Sequence, residues 1–180
     1  DTAYTYTVTA ADVDSSDTIT LTGTTVPSWA TFTASTGVLA GTPLNANVGD
    51  NSVVITASDG TASVTDTFTI VVANTNDAPT ITSTAVTAAT EDTAYTYTVT
   101  AADVDSSDTI TLTGTTVPSW ATFTASTGVL TGTPLNANVG DNSVVITASD
   151  GTASVTDTFT IVVANTNDAP TITSTAVTAA

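Results

Sequence analysis

The chain contains no lysine, arginine, histidine, cysteine or methionine. Each absence excludes a class of behaviour. Without cationic side chains no side-chain ion pair can form. Nothing is present to hold a nucleic-acid phosphate backbone or an anionic membrane surface. Without cysteine no disulfide staples the fold, which leaves the redox compartment open. Without histidine, lysine or cysteine, the abundant Ser and Thr hydroxyls lack the base that nucleophilic catalysis uses. A carboxylate pair for glycoside cleavage would need a cleft, and no insertion long enough to build one interrupts the pattern. The reading is of a protein that is not an enzyme. There is also no initiator Met, no basic segment followed by an apolar leader, and no apolar run long enough to span a bilayer. The stretch reads as an interior piece of a longer array, without membrane insertion, whose export signals lie elsewhere.

What is present is acidic and repetitive. Seventeen carboxylates give a formal charge of -17. Two carboxylates about 4 Å apart repel by roughly 4 kcal/mol at an effective dielectric of 20. Clustered acids must therefore be solvated apart, protonated or bridged by a metal cation. Hydrophobic residues make up 41% of the chain, which separates it from disordered acidic tails. Residues 92–180 repeat residues 1–89, with Ala40 against Thr131 as the one difference. A fixed domain-sized period marks an array of modules. The expected organisation is a module over 1–78 that lacks its first strand, a complete module over 79–169, and the first strand of a following module over 170–180.

Within the complete module the apolar residues alternate with period two, and none shows helical spacing. Thr80–Thr84 reads as a short strand. Tyr95, Tyr97 and Val99 form one inward face, Ile110 and Leu112 a second, Val144, Ile146 and Ala148 a third, and Phe159, Ile161 and Val163 a fourth. Ala121–Thr124 and Val129–Thr131 are further short strands, flanked by Pro118, Gly128, Gly132 and Pro134. About seven strands joined by Gly, Pro, Asn and Asp turns predict an all-β fold, a tandem of seven-stranded Greek-key β-sandwiches. Trp120 and Phe123 read as core plugs.

The acids gather in turns. Asp103, Asp105 and Asp108 share one loop, Asp150 sits in a turn between two strands, and Glu91 and Asp92 precede the first long strand. Asn165, Asn167 and Asp168 lead out of the last strand towards Pro170. Such oxygens suit Ca²⁺, which takes six to eight of them at about 2.3–2.6 Å from carboxylates, amides, carbonyls and water. Asp and Asn are also the residues that turns select, so turn formation is the competing reading. Asp108, Asp141 and Asp157 read as plain surface acids.

The module resembles bacterial cadherin-like and immunoglobulin-like tandem repeats, of the dystroglycan-type cadherin-like kind, found in large surface adhesins. The resemblance covers the whole period. It is carried by Asp103-Val104-Asp105, the run Thr127–Pro134, Ala148-Ser149-Asp150-Gly151 and Asn167-Asp168-Ala169-Pro170. It implies calcium at the junctions between modules. Asn74, Asn76 and Asp77 from the linker would meet Asp103, Asp105 and Asp150 of the following module. Glu91 would serve the next junction with Asn165, Asn167 and Asp168, and Asp12, Asp14 and Asp59 the junction upstream. Three departures from the family pattern point to one or two weakly held ions per junction rather than three. Asn74 stands where an Asp is usual, the linker is one residue shorter after Asp77, and Asn136-Ala137-Asn138 replaces an acidic pair.

The implied function is a structural extender of an extracellular bacterial adhesin or filament, on the cell surface or secreted. Its partners would be neighbouring identical modules, with a glycan or protein ligand elsewhere on the array. Strands of about eight residues would make each module roughly 40 Å long. Modules would join either by covalent continuation or by donation of a first strand into the next subunit. A second reading is ligand binding, to carbohydrate or ice, from the Thr-x-Thr runs at Thr5–Thr7, Thr18–Thr22 and Thr67–Thr69. The interleaved core residues leave one Thr row per run, and sheet twist spoils its flatness. Threonine and serine permit O-glycosylation, while no Asn-x-Ser/Thr acceptor occurs.

Overall fold

The computed structural model describes residues 2–176, and among them secondary structure is almost entirely strand. The chain forms two compact units, Asp1–Asn76 and Asp77–Ala180.

The first unit holds β1 (Tyr4–Thr7), β2 (Thr20–Thr25), β3 (Ala30–Thr33), β4 (Val38–Gly41), β5 (Gly49–Ser58) and β6 (Ser63–Val72). They form two three-stranded antiparallel sheets, β1-β4-β3 and β2-β5-β6. A 3₁₀ turn at Asn45–Asn47 connects β4 to β5. Leu39, Val53 and Ile55 are buried between the sheets, with Phe32 and Phe68 packed against them.

The second unit adds an entry segment. Its strands are β7 (Thr80–Ile81), β8 (Ala88–Thr90), β9 (Tyr95–Thr98), β10 (Ala101–Ala102), β11 (Thr111–Thr116), β12 (Ala121–Thr124), β13 (Val129–Gly132), β14 (Gly140–Ser149) and β15 (Ser154–Ala164). One sheet runs β12-β13-β9 and the other β11-β14-β15-β8, with β10 paired to β7. β9 and β10 are consecutive lengths of one run, and β7 and β8 are two halves of one first strand. Counted so, the unit is a seven-stranded sandwich. Its core unites Tyr95, Tyr97, Val99, Leu130, Val144, Ile146, Ile161 and Val163.

The expected strand over Thr80–Thr84 is corrected in one respect. Only Thr80–Ile81 pairs there, and the chain then crosses to the opposite sheet, where Ala88–Thr90 runs parallel to Val162–Ala164. Polar bonds hold the crossing. The Ser83 hydroxyl shares a hydrogen bond with the Tyr97 hydroxyl at 2.8 Å and accepts the Thr100 amide at 3.0 Å. The Tyr95 hydroxyl donates to the Val86 carbonyl at 2.7 Å.

The burial of that Tyr95 hydroxyl predicts a pH response. Burial pushes the Tyr95 hydroxyl up to about 12 from an ordinary value of 10.0. The folded chain therefore keeps a proton that the unfolded chain gives up between about pH 10 and 12. The contribution is fully present below pH 10 and is lost as pH rises through that window. The melting temperature is expected to fall more steeply above about pH 10 than in a Tyr95→Phe variant, measured by circular dichroism.

One polar group lies among the apolar ones. Asn142 accepts the Trp120 indole N–H on Oδ1 at 2.9 Å and donates from Nδ2 to the carbonyls of Asn138 and Gly140 at 2.8 and 2.9 Å. Asn51 repeats the arrangement with Trp29. A half-buried amide so fully satisfied fixes the Trp ring and the turn before β14. Gly128, at φ 69, closes the turn into β13, where a Cβ would fall against the Val99 carbonyl oxygen.

Candidate metal centre

In the first unit the loop after β1 turns sharply on its own acids. The Asp14 amide donates to Asp12 Oδ1 at 2.9 Å, and the Asp17 amide to the Asp14 carbonyl at 3.0 Å. This Asx turn carries Asp17 back beside Asp12. Asp59 arrives from the turn between β5 and β6. Its Oδ1 accepts the Ala62 and Thr61 amides, each at 2.6 Å, and these bonds hold its carboxyl below the usual carboxylate range. Asp12, Asp17 and Asp59 each bring a carboxylate oxygen within 4.8 Å of the others. Among the described residues this is the one trio of acids so placed. Asp17 was not among the expected ligands, and its copy Asp108 reads from sequence as a surface acid. The signal that could have found it is the five-residue spacing of Asp12 and Asp17 across a turn.

Asp14 has a different place from Asp12. Its copy in the second unit, Asp105, is buried at 4% exposure and accepts the Asp77 amide on Oδ2 at 2.7 Å. The second acid of the Asp-x-Asp pair thus ties the linker residue Asp77 to the loop. The Asp105 amide donates to Asp103 Oδ1 at 2.9 Å, and Asp103 Oδ2 is buried with no hydrogen-bond partner. A buried carboxylate oxygen without a donor is costly, and a cation is one way to satisfy it. Asp150 accepts the Thr152 and Ala153 amides at 2.6 Å, as its copy Asp59 does. Asp157 is half-buried in register with Ile146 rather than a plain surface acid.

The far end of the second unit gathers the other expected residues. Glu91 is 2% exposed. Its Oε2 accepts the Thr166 amide at 3.0 Å, its carbonyl accepts the Thr166 hydroxyl at 3.3 Å, and its own amide donates to the Ala164 carbonyl at 2.9 Å. The Asn136 amide donates to Asp168 Oδ2, and Asn167 Nδ2 to the Asp168 carbonyl at 3.3 Å. Asn136, one of the residues that replaces the family's acidic pair, therefore meets Asp168 by a hydrogen bond where two acids would repel. Asn165, Asn167 and Asp168 are exposed, as are Asn74, Asn76 and Asp77.

The sequence profile of the He_PIG family, described as "Putative Ig domain", matches residues 1–73 and 78–164. No curated protein matches at a significant level. Among solved structures, human protocadherin-24 EC1-2 is 18% identical with a TM-score of 0.54, over 92% of this chain and 88% of that one. Drosophila N-cadherin EC1-4 is 15% identical with a TM-score of 0.51, over 88% of this chain and 44% of that one. These two likenesses are of fold. The endo-fucoidan hydrolase MfFcnA4 of glycoside hydrolase family 107 is 31% identical with a TM-score of 0.45, over 85% of this chain. The present chain spans 24% of that hydrolase's length.

Proposed function

The chain belongs to the He_PIG family of immunoglobulin-like domains, and we propose that it works as an extracellular spacer whose modules are tied by calcium. The observation that carries this reading is the Asp12–Asp17–Asp59 trio, its oxygens within 4.8 Å in a chain without a single cationic side chain. The unpartnered, buried Asp103 Oδ2 points the same way, because Asp103 is the copy of Asp12. Hard oxygen donors of this kind, carboxylate with amide and carbonyl, suit Ca²⁺ better than the softer transition metals.

Asp12, Asp17 and Asp59 would hold an ion on the first unit. Asp103 and Asp150, with Asp105 fastening Asp77, would do so on the second, joined by Asn74 and Asn76 from the linker. Glu91, Asn165, Asn167 and Asp168 would serve the exit. The bound ion supplies the positive charge that the polypeptide lacks. The chain's own part is to fix the oxygens: Asp59 and Asp150 are each oriented by two amides, and Asp105 anchors the linker. A module with this task has no need of catalytic groups, and the chain is proposed to carry out no chemistry of its own. Among the described residues no helix is long and apolar enough to cross a membrane.

The Thr-rich ligand-binding reading ranks second. Thr24 and Thr56 bond each other across strands at 3.0 Å, and Thr115 and Thr147 at 3.4 Å, which spends hydroxyls that a ligand surface would present. Isothermal titration of the metal-stripped chain with CaCl₂ tests the proposal. Binding with a dissociation constant of about 10⁻⁴–10⁻³ M is expected. Absence of binding at several millimolar calcium would exclude it.

A further inference from the structure

The outer strands of the second unit's sheets are short or broken, with one exception. β7, β8 and β12 have two, three and four residues, and β11 carries a bulge between Gly114 and Thr116. Short or bulged edges offer a foreign strand little to pair with. β15 is different. It is eleven residues long, pairs with β14 from Ser154 to Val163, and meets β8 only at Val162–Ala164. The Val162 amide points away from β14 and donates to the Thr87 carbonyl at 2.9 Å. Backbone groups two residues apart point the same way, so those of Thr156, Thr158 and Thr160 face outward along the rest of that edge. Among the described residues no strand pairs with them.

Asp157 stands on this open stretch, in an uncommon place for a carboxylate. It is in register with Ile146, which is 0% exposed, and belongs to the row Val155, Asp157, Phe159, Ile161 and Val163 that turns toward the core. It lines a groove whose walls include Ile81, Ala85 and Val155. Residues 63–73 repeat 154–164 letter for letter, and Asp66 is in register with Ile55 in the same way. We propose that Asp157 guards the open edge of β15 against pairing with the same edge of a second copy of this chain. Two identical strands pair about a two-fold axis, antiparallel, through the outward groups of Thr156, Thr158 and Thr160. Centred on these residues, the pairing sets Asp157 opposite either its own copy or the copy's Val155 or Phe159. The first brings like charges face to face. The second buries a charge against an apolar side chain, in a chain that has no cation to pair with it. An array of near-identical modules carries the same edge in every module, so misassembly through it is always on offer. A valine at this place would pack better and leave the edge open. The guard does not depend on calcium.

Sedimentation of the 180-residue chain in chelator, over a concentration range up to millimolar, tests this apart from the metal reading. The average mass of Asp157→Val is expected to rise with concentration to about twice that of the parent chain under the same conditions. Asp157→Thr, which removes the charge with a residue already common in this strand, is expected to do the same, and circular dichroism checks that each variant keeps the strand content of the parent. Asp141→Val removes an equal charge from an exposed position on β14, an internal strand, and is expected to sediment as the parent does. Asp157→Lys keeps a charge in the inward row and is expected to match the parent too. Folded Asp157→Val and Asp157→Thr chains that sediment as the parent does would overturn the inference. So would assembly of Asp141→Val or Asp157→Lys to the same extent as Asp157→Val.

Discussion

Leu130→Ala is expected to destabilise the second unit by about 2–5 kcal/mol, among the largest effects available to a single substitution here. Leu130 is 0% exposed on β13, between Tyr97 and Phe123 on its two neighbouring strands. Removing three carbons there leaves a cavity that neither sheet can close without breaking its ladder, so the cost includes the void as well as lost transfer energy. A domain of this size has a total stability of roughly 5–15 kcal/mol, so much of its margin would go. The repeat supplies a matched control. Leu39 is the copy in the first unit, equally buried, and Leu39→Ala should lower a transition of the first unit instead. Calorimetry of the two variants checks both assignments. Melting like that of the parent chain would contradict the place of Leu130 in the core.

The double substitution Asp12→Asn and Asp59→Asn is expected to change sign with calcium. Asn keeps an oxygen for the bonds now made by the carboxylates, from the Asp14 amide to Asp12 and from the Thr61 and Ala62 amides to Asp59. The turns therefore survive, and only charge is removed. In chelator the variant should melt at or above the parent chain, because carboxylates whose oxygens lie within 4.8 Å repel one another, although solvent screens much of that at these largely exposed groups. With calcium at about a hundred times its dissociation constant the parent gains about 2.7 kcal/mol per site and the variant does not. The order of the two melting temperatures should then reverse. If these acids serve only as turn residues, adding calcium leaves the order unchanged.

What could be read from sequence divides along physical lines. Strands with large apolar residues at alternate positions were legible: Tyr95, Tyr97 and Val99 are buried, and so are Val144, Ile146 and Ala148. β8 was not, because Ala88–Thr90 holds only small side chains and is placed by backbone pairing to β15. Leu130 was missed as a core residue because three residues between two glycines are too few to show a period. Ile110 was expected in the core but is part-buried just outside β11, which begins at Thr111. Among the acids, composition alone said that any cluster lacks a cation. Which acids cluster depends on how a loop turns, and the Asx turn at Asp12–Asp14 brings Asp17, not Asp14, to Asp59. The burial of Glu91 was likewise hidden, since the Thr166 amide that bonds it lies 75 residues away.

If bound calcium ties successive modules as proposed, removing it should loosen the chain. Small-angle scattering of the chain at low concentration, first with calcium and then with chelator, measures this. With calcium the scattering is expected to be that of a stiff two-module rod. In chelator, as the acids at the junction repel, the maximum dimension and the curve shape should change to those of two modules on a hinge. Identical scattering in the two conditions, with calcium present well above its dissociation constant, would contradict the claim.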